Sequence, residues 1–178
     1  MKIKILCEDQ MHEVFVRRAL LNLGFHRRDF LASAVASKTE SGAGEKYVRE
    51  RYPQELRMLR EKKHQKLALI VVIDGDNVGV DRRFNQLQKS CQDCNIPPRQ
   101  ESEKVAFFVP TWNIETWLAY LGGQDVDETK RDYPRSSMPS HCQQKAQNLA
   151  DMCRQKQLRQ PAPASLQSAC DEYQRLSQ

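Results

Sequence analysis

The chain has no long apolar run. Its longest, Leu67 to Ile73, covers seven residues, whereas a helix crossing a bilayer needs about 20. The N-terminal "MKIKILCED" enters a strand pattern directly, without the apolar region and small-residue cleavage site of a secretory signal. The expected location is therefore the cytoplasm, with no membrane partner. No internal repeat is visible. Paired metal-ligand spacing is also missing: Cys91-x-x-Cys94 has only the adjacent His141 and Cys142 to complete it, which does not suit zinc. All six cysteines are expected to be reduced thiols. Nor is there a strong charge bias. A net charge of +5 with a pI near 8.9 tolerates an anionic partner without requiring one.

What is present is an alternation of strand and helix patterns. A length of 178 residues allows one domain with a proper core plus a short appendage. "KIKILC" (Lys2 to Cys7) reads as a strand, followed by a helix with Met11, Val14, Phe15, Ala19 and Leu23 on one face and Gly24 at its end. Residues 25 to 37 form a weaker strand pattern. A glycine loop, "SGAGE" (Ser41 to Glu45), leads into a basic region in which residues 45 to 66 hold eight Lys/Arg against four Glu. Pro53 is expected to split that region into two pieces. "LALIVVI" (Leu67 to Ile73) is the next strand, then a helix aligning Val80, Phe84, Leu87 and Cys91. "VAFFVP" (Val105 to Pro110) is the fourth strand, and Ile114, Trp117, Leu118 and Leu121 mark the helix after it, stopped by Gly122-Gly123.

Near-continuous apolar strands alternating with helices indicate an α/β fold: an open, mainly parallel sheet of about four strands flanked by helices. The composition shifts near Asp125. Residues 1 to 124 form the expected catalytic domain, and 125 to 178 a helical extension packed on it, with nine glutamines from Gln143 onward read as solvated helix surface.

The chemistry concentrates at two strand ends. In "VVIDGDN" the alternation of an extended chain sends Asp74 and Asp76 to one face, across Gly75. Two close carboxylates repel, and burial raises their pKa values unless a cation neutralises them. A hard divalent ion with oxygen ligands does so. The first strand ends in Glu8 and Asp9. If the two strands are neighbours, Glu8, Asp74 and Asp76 form one acidic cluster beyond the carboxyl edge of the sheet, where ligands of open parallel sheets gather.

"ILCEDQMHEVFVRRAL", "SGAGEKYV", "VVIDGDN" and "NIETWL" together resemble, in that order, the Toprim fold of topoisomerases, primases and OLD-type nucleases. The likeness is to small stand-alone Toprim-like proteins found beside ATPases in bacterial antiphage defence loci, and it covers about residues 1 to 121. It departs from the family at Asp9, where glycine is common. The resemblance implies a Toprim/Rossmann-like sheet and a nuclease dependent on Mg2+ (or Mn2+). Asp74 and Asp76 would hold the metal, with Glu8 as ligand or acid/base group and Glu115 as a further candidate ligand. An acidic first-turn residue such as Glu115 is also a simple complement to the helix dipole. The implied partners are nucleic acid and an ATPase of the ABC or AAA type, with a homo-oligomer open.

Around this core, Lys46, Arg82 and Arg83 are candidate phosphate contacts, each equally readable as an exposed base. Gly42 and Gly44 are weak candidates for anion-binding backbone N–H groups. His12, one turn beyond Glu8, suits proton transfer or plain solvent exposure. Trp112 and Trp117 suit base stacking, although Trp117 aligns with a core face. Two other readings stand beside the Toprim-like one. "IDGDN" is similar to the opening motif of PIN or NYN ribonucleases, which calls for the motif near the domain start and more carboxylates downstream. A non-catalytic module binding a partner or nucleic acid through the basic 45 to 66 region is the other, and its affinity would fall steeply with salt.

Overall fold

The computed structural model describes residues 1–36, 44–62, 64–131, 133–134 and 142–176. Four strands form one sheet: β1 (Lys2–Cys7), β2 (Ala34–Val35), β3 (Leu67–Val72) and β4 (Val105–Phe108). Their spatial order is β2-β1-β3-β4, and every pairing is parallel. Helices α1 (Gln10–Asn22), α2 (Gly44–Glu61), α3 (Val80–Asp93), α4 (Ile114–Leu121), α5 (Gln143–Gln155) and α6 (Ala164–Gln174) cover both faces. This is the open α/β sheet expected from the strand–helix alternation.

The two faces follow from the period of two along each strand. Ile3, Ile5, Ile70, Val72, Ala106 and Phe108 point toward α1, α4, α5 and α6. Leu6, Leu69, Val71, Val105 and Phe107 point toward α2 and α3, where they meet Val48, Tyr52, Leu56, Leu87 and Cys91. Because both faces are buried, the strands read as almost unbroken apolar runs.

The two C-terminal helices belong to this packing. Ala146 of α5 and Leu166 of α6 are fully buried in the same cluster as Trp117, whose indole N–H donates to Ser165 Oγ at 2.7 Å. α6 also closes the open edge of β4. Glu172 accepts from the Phe107 backbone N–H at 2.8 Å, and Arg99 and Arg175 donate to the Val105 carbonyl at 2.7 and 3.2 Å. Unpaired strand-edge groups invite association with another chain; here side chains satisfy them.

Four expectations are corrected. Pro53 does not divide the basic region, because α2 runs unbroken with Pro53 inside it. An interior proline costs about 3 kcal/mol, and the buried face of Val48, Tyr52, Pro53 and Leu56 against the sheet offsets that. The strand expected over 25 to 37 shrinks to Ala34–Val35, because a 3-10 turn at Arg27–Asp29 interrupts it; Asp29 Oδ2 holds the His26 backbone N–H at 2.8 Å. The cysteines are not all thiols: α5 and α6 pack with Cys153 and Cys170 facing, and the two are joined in a disulfide. Finally, α1 buries His12 and Glu13 along with Phe15 and Ala19, a wider face than the apolar stripe alone. Of the glycine loop, residues 41 to 43 lie outside the described residues, while Gly44 and Glu45 open α2. Among the described residues no helix is long and apolar enough to cross a membrane.

If the C-terminal helices share the main core, Leu166→Ala will lower the unfolding free energy by about 2–5 kcal/mol. Urea titration followed by circular dichroism measures this. A loss under about 1 kcal/mol would mean that α6 rests on the surface.

Candidate active site

Strand order decides where the site lies. From β1 the chain moves outward to β2, then returns to place β3 on the other side of β1. The switch point of the sheet is therefore between β1 and β3, and ligands of such folds bind beyond the carboxyl ends of the strands at that point. The register pairs Cys7 with Val72, so the next residues out are Glu8 on one strand and Ile73-Asp74 on the other. The adjacency that an acidic cluster requires is present.

The cluster is knit by direct contacts. Glu8 Oε1 accepts from the Asp74 backbone N–H at 2.6 Å. Asp74 Oδ1 lies 2.9 Å from His12 Nε2. Asp76 Oδ2 accepts from Arg83 Nη2 at 2.8 Å. Arg83 also donates through Nε to the Asp74 carbonyl and through Nη1 to Glu45 Oε2, both at 2.8 Å. One oxygen each of Glu8, Asp74 and Asp76 carries no hydrogen bond among the described residues.

Local backbone explains how these side chains are aimed. Asp9 is the N-cap of α1, with extended dihedrals (φ −152°, ψ 177°), and its Oδ1 accepts from the His12 backbone N–H at 2.9 Å. Since φ here is not positive, the turn after Glu8 does not need the glycine found in Toprim-like proteins. Asp76 sits in the left-handed region at φ +45°, and its N–H donates to the Trp112 carbonyl at 2.9 Å. Aspartate tolerates that region better than most residues. Gly75 is needed for close approach: a Cβ there would lie 2.8 Å from the Pro110 carbonyl oxygen. Gly44, at the start of α2, is also tight against the site, with a Cβ position 3.0 Å from Glu8 Oε2.

Burial and like charge shift the protonation of the cluster. Burial, then the Asp74 carboxylate, push the Glu8 carboxyl up to about 7. Burial works against a charged His12, but Asp74 and then Asp9 outweigh it and hold the imidazole well above its usual 6.5. His12 is fully buried; its Nδ1 lies 3.2 Å from Asp9 Oδ1, an ionic contact without good hydrogen-bond geometry. Burial and Asp74 also raise Asp76, against the opposing pull of Arg83. Glu115, in the first turn of α4, is raised by burial and feels the charges of Asp74, His12 and Asp9, so it borders the same cluster.

The other candidates are placed as follows. Lys46 is exposed in the first turn of α2, 3.8 Å from Glu50, and Arg82 is exposed in the first turn of α3. Arg83 is only 4 % exposed and turned inward. Trp117 is core, and the indole N–H of Trp112 donates to the Glu128 carbonyl at 3.0 Å. Gly42 and His141 lie outside the described residues. Cys91 is buried and Cys94 exposed at the end of α3.

Sequence reasoning left His12 open between two roles and passed over Glu45. The spacing Glu8–His12 placed His12 beneath the strand end, and Asp9 as N-cap with His12 three residues on was the signal for its burial. Nothing in the sequence signalled Glu45, because its partner Arg83 comes from a different helix.

Comparison with protein-family models, with curated proteins and with solved structures finds no match.

Does the donor set fit a divalent cation? In chemistry it does: three carboxylates, each with an oxygen spare, and a Glu8 whose ionisation is suppressed by burial and then by the Asp74 charge. As arranged, no three His, Cys, Asp or Glu side chains among the described residues converge into a ready-made cage. The chain's own cations, His12 and Arg83, occupy one oxygen each of Asp74 and Asp76.

The shifts of Glu8 and His12 have the same sign, so the folded state binds more protons than the unfolded one. The stability they contribute is full below the unfolded values (4.5 and 6.5) and is lost as pH rises through the raised folded values. In EDTA, the urea midpoint of the wild type should fall between pH 5.5 and pH 8, and Glu8→Gln should flatten the part of that fall below about pH 7. A wild-type midpoint that rises over this interval contradicts the electrostatics described.

Proposed function

We propose that this chain is a nuclease dependent on Mg2+ or Mn2+, hydrolysing phosphodiester bonds of DNA or RNA with a Toprim-like acidic site. The observation that carries the reading is the Glu8–Asp74 contact across the β1/β3 switch point, with Asp76 two residues further along the same strand end. A structural turn needs no such convergence from two strands.

Asp74, Asp76 and Glu8 would hold the cation, with Glu115 as an additional neighbour. When bound, a divalent cation supplies Lewis-acid activation of water and neutralises charge on the scissile phosphate. The rest is the work of the chain's own side chains. In the cation-free site Glu8 is pushed up to about 7, which suits it to the alternative role of acid/base group in place of ligand. His12 fixes the orientation of Asp74, and Arg83 holds Asp76 while no cation is bound. Lys46 and Arg82, exposed in the first turns of α2 and α3, are suited to meet the phosphate backbone at the sheet's carboxyl end. An ATPase partner, a place in antiphage defence and a cytoplasmic setting complete the proposal as extensions of the sequence resemblance.

A second reading has one observation in its favour. His12 and Arg83 already compensate part of the cluster's charge, as a non-catalytic binding module would need. The PIN or NYN reading gains nothing, since the Asp74 motif lies on β3.

Cleavage of labelled DNA and RNA in Mg2+, Mn2+ or EDTA tests the proposal. Wild type should cut with metal alone, and Asp74→Asn should lower the rate by about a hundredfold or more. Metal-independent cutting, or equal rates in both proteins, would sink the assignment of these carboxylates.

A further inference from the structure

We propose that Arg83 is an internal counter-cation that holds the acidic site in a cation-free state, and that a divalent ion gains Asp76 only by displacing the Arg83–Asp76 contact. This rests on the reading of Glu8, Asp74 and Asp76 as cation ligands and adds how their occupancy is controlled.

Arg83 is unlike the surface arginines of the chain. It is 4 % exposed and donates to four acceptors: Asp76 Oδ2, Glu45 Oε2, Gln86 Oε1 and the Asp74 carbonyl, each at 2.8 Å. A buried guanidinium with this many partners cannot swing into solvent to meet a nucleic-acid phosphate. Its planar fork instead ties three elements together: the end of β3, the first turn of α2 and α3 itself. The Asp76 side chain, by contrast, is 45 % exposed. When the contact breaks, it is the carboxylate that can move while the guanidinium stays with Glu45.

The electrostatics set the direction of control. The side of the cluster around Arg83 carries Asp76 and Glu45, and Arg49 donates to the same Glu45 Oε2 at 2.6 Å and to Oε1 at 3.1 Å. Among the described residues Asp76 forms an ion pair with Arg83 alone. A dication competes for it against a fixed monovalent cation whose own charge repels the newcomer. Glu45 moderates that repulsion by sharing the guanidinium. Removing Arg83 therefore favours metal, and neutralising Glu45 disfavours it. An arginine whose role was only to shape the ligands would produce the opposite sign in the first case.

Mn2+ binding measured by calorimetry and by loss of the free Mn2+ electron paramagnetic resonance signal tests this without any activity assay. Arg83→Met should bind Mn2+ about tenfold more tightly than wild type, or more, and Glu45→Gln several-fold more weakly. Glu45→Gln keeps an acceptor for Arg83 and so reports even if Arg83→Met fails to fold. Weaker or unchanged binding by folded Arg83→Met, or tighter or unchanged binding by Glu45→Gln, overturns the proposal while wild-type binding leaves the metal site standing. No Mn2+ binding by any of the three proteins removes the metal site itself, and the control with it.

Discussion

The hydrogen bond from the Asp74 backbone N–H to the Glu8 carboxylate, 2.6 Å long, is the constraint on which the rest of the site depends. It exists only because β1 and β3 are parallel neighbours whose last paired residues are Cys7 and Val72. A slip of one residue would turn every side chain of β1 to the opposite face. It would drive Lys2 and Lys4 toward the core that Ile3 and Ile5 now fill and carry Glu8 away from Asp74. Core packing therefore fixes the position of the carboxylates: the apolar alternation that drives the sheet together also sets the acidic groups side by side.

Crowding three carboxylates at a buried edge is unfavourable, and the structure shows how the chain bears it. Glu8 holds its proton toward neutral pH, His12 is drawn to its charged form between Asp74 and Asp9, and Arg83 spans Asp76 and Glu45. Both compensating cations, His12 and Arg83, come from a helix that follows a strand, and both are locked by burial. A buried ion pair contributes little net stability, whereas losing one partner leaves a costly lone charge. Such an arrangement is hard to account for as stabilisation alone; the proposed exchange of its internal cations for an external one would account for it.

Much of this was legible in the sequence, for identifiable reasons. Strands buried on both faces leave uninterrupted apolar runs, so β1, β3 and β4 and the parallel fold class could be read directly. Asp74, Gly75 and Asp76 stood out because acidic residues end such a run. What escaped was whatever depends on neighbours distant in sequence. The burial of Arg83 requires Glu45 and the Asp74 carbonyl to be brought together by two helices and a strand. The continuity of α2 through Pro53 requires the sheet beneath it, and the disulfide requires α5 and α6 to meet. The need for glycine at position 75 likewise comes from a distant neighbour, the Pro110 carbonyl.

If the carboxylates at the β1/β3 switch point form a divalent-cation site, anomalous X-ray diffraction from crystals grown with Mn2+ will show it. The expected result is an anomalous peak within coordination distance, about 2.0–2.2 Å, of oxygens from Asp74 and at least one of Glu8 and Asp76, with Asp76 turned away from Arg83. Well-ordered crystals at millimolar Mn2+ with no peak there, and with the Arg83–Asp76 contact intact, would contradict it.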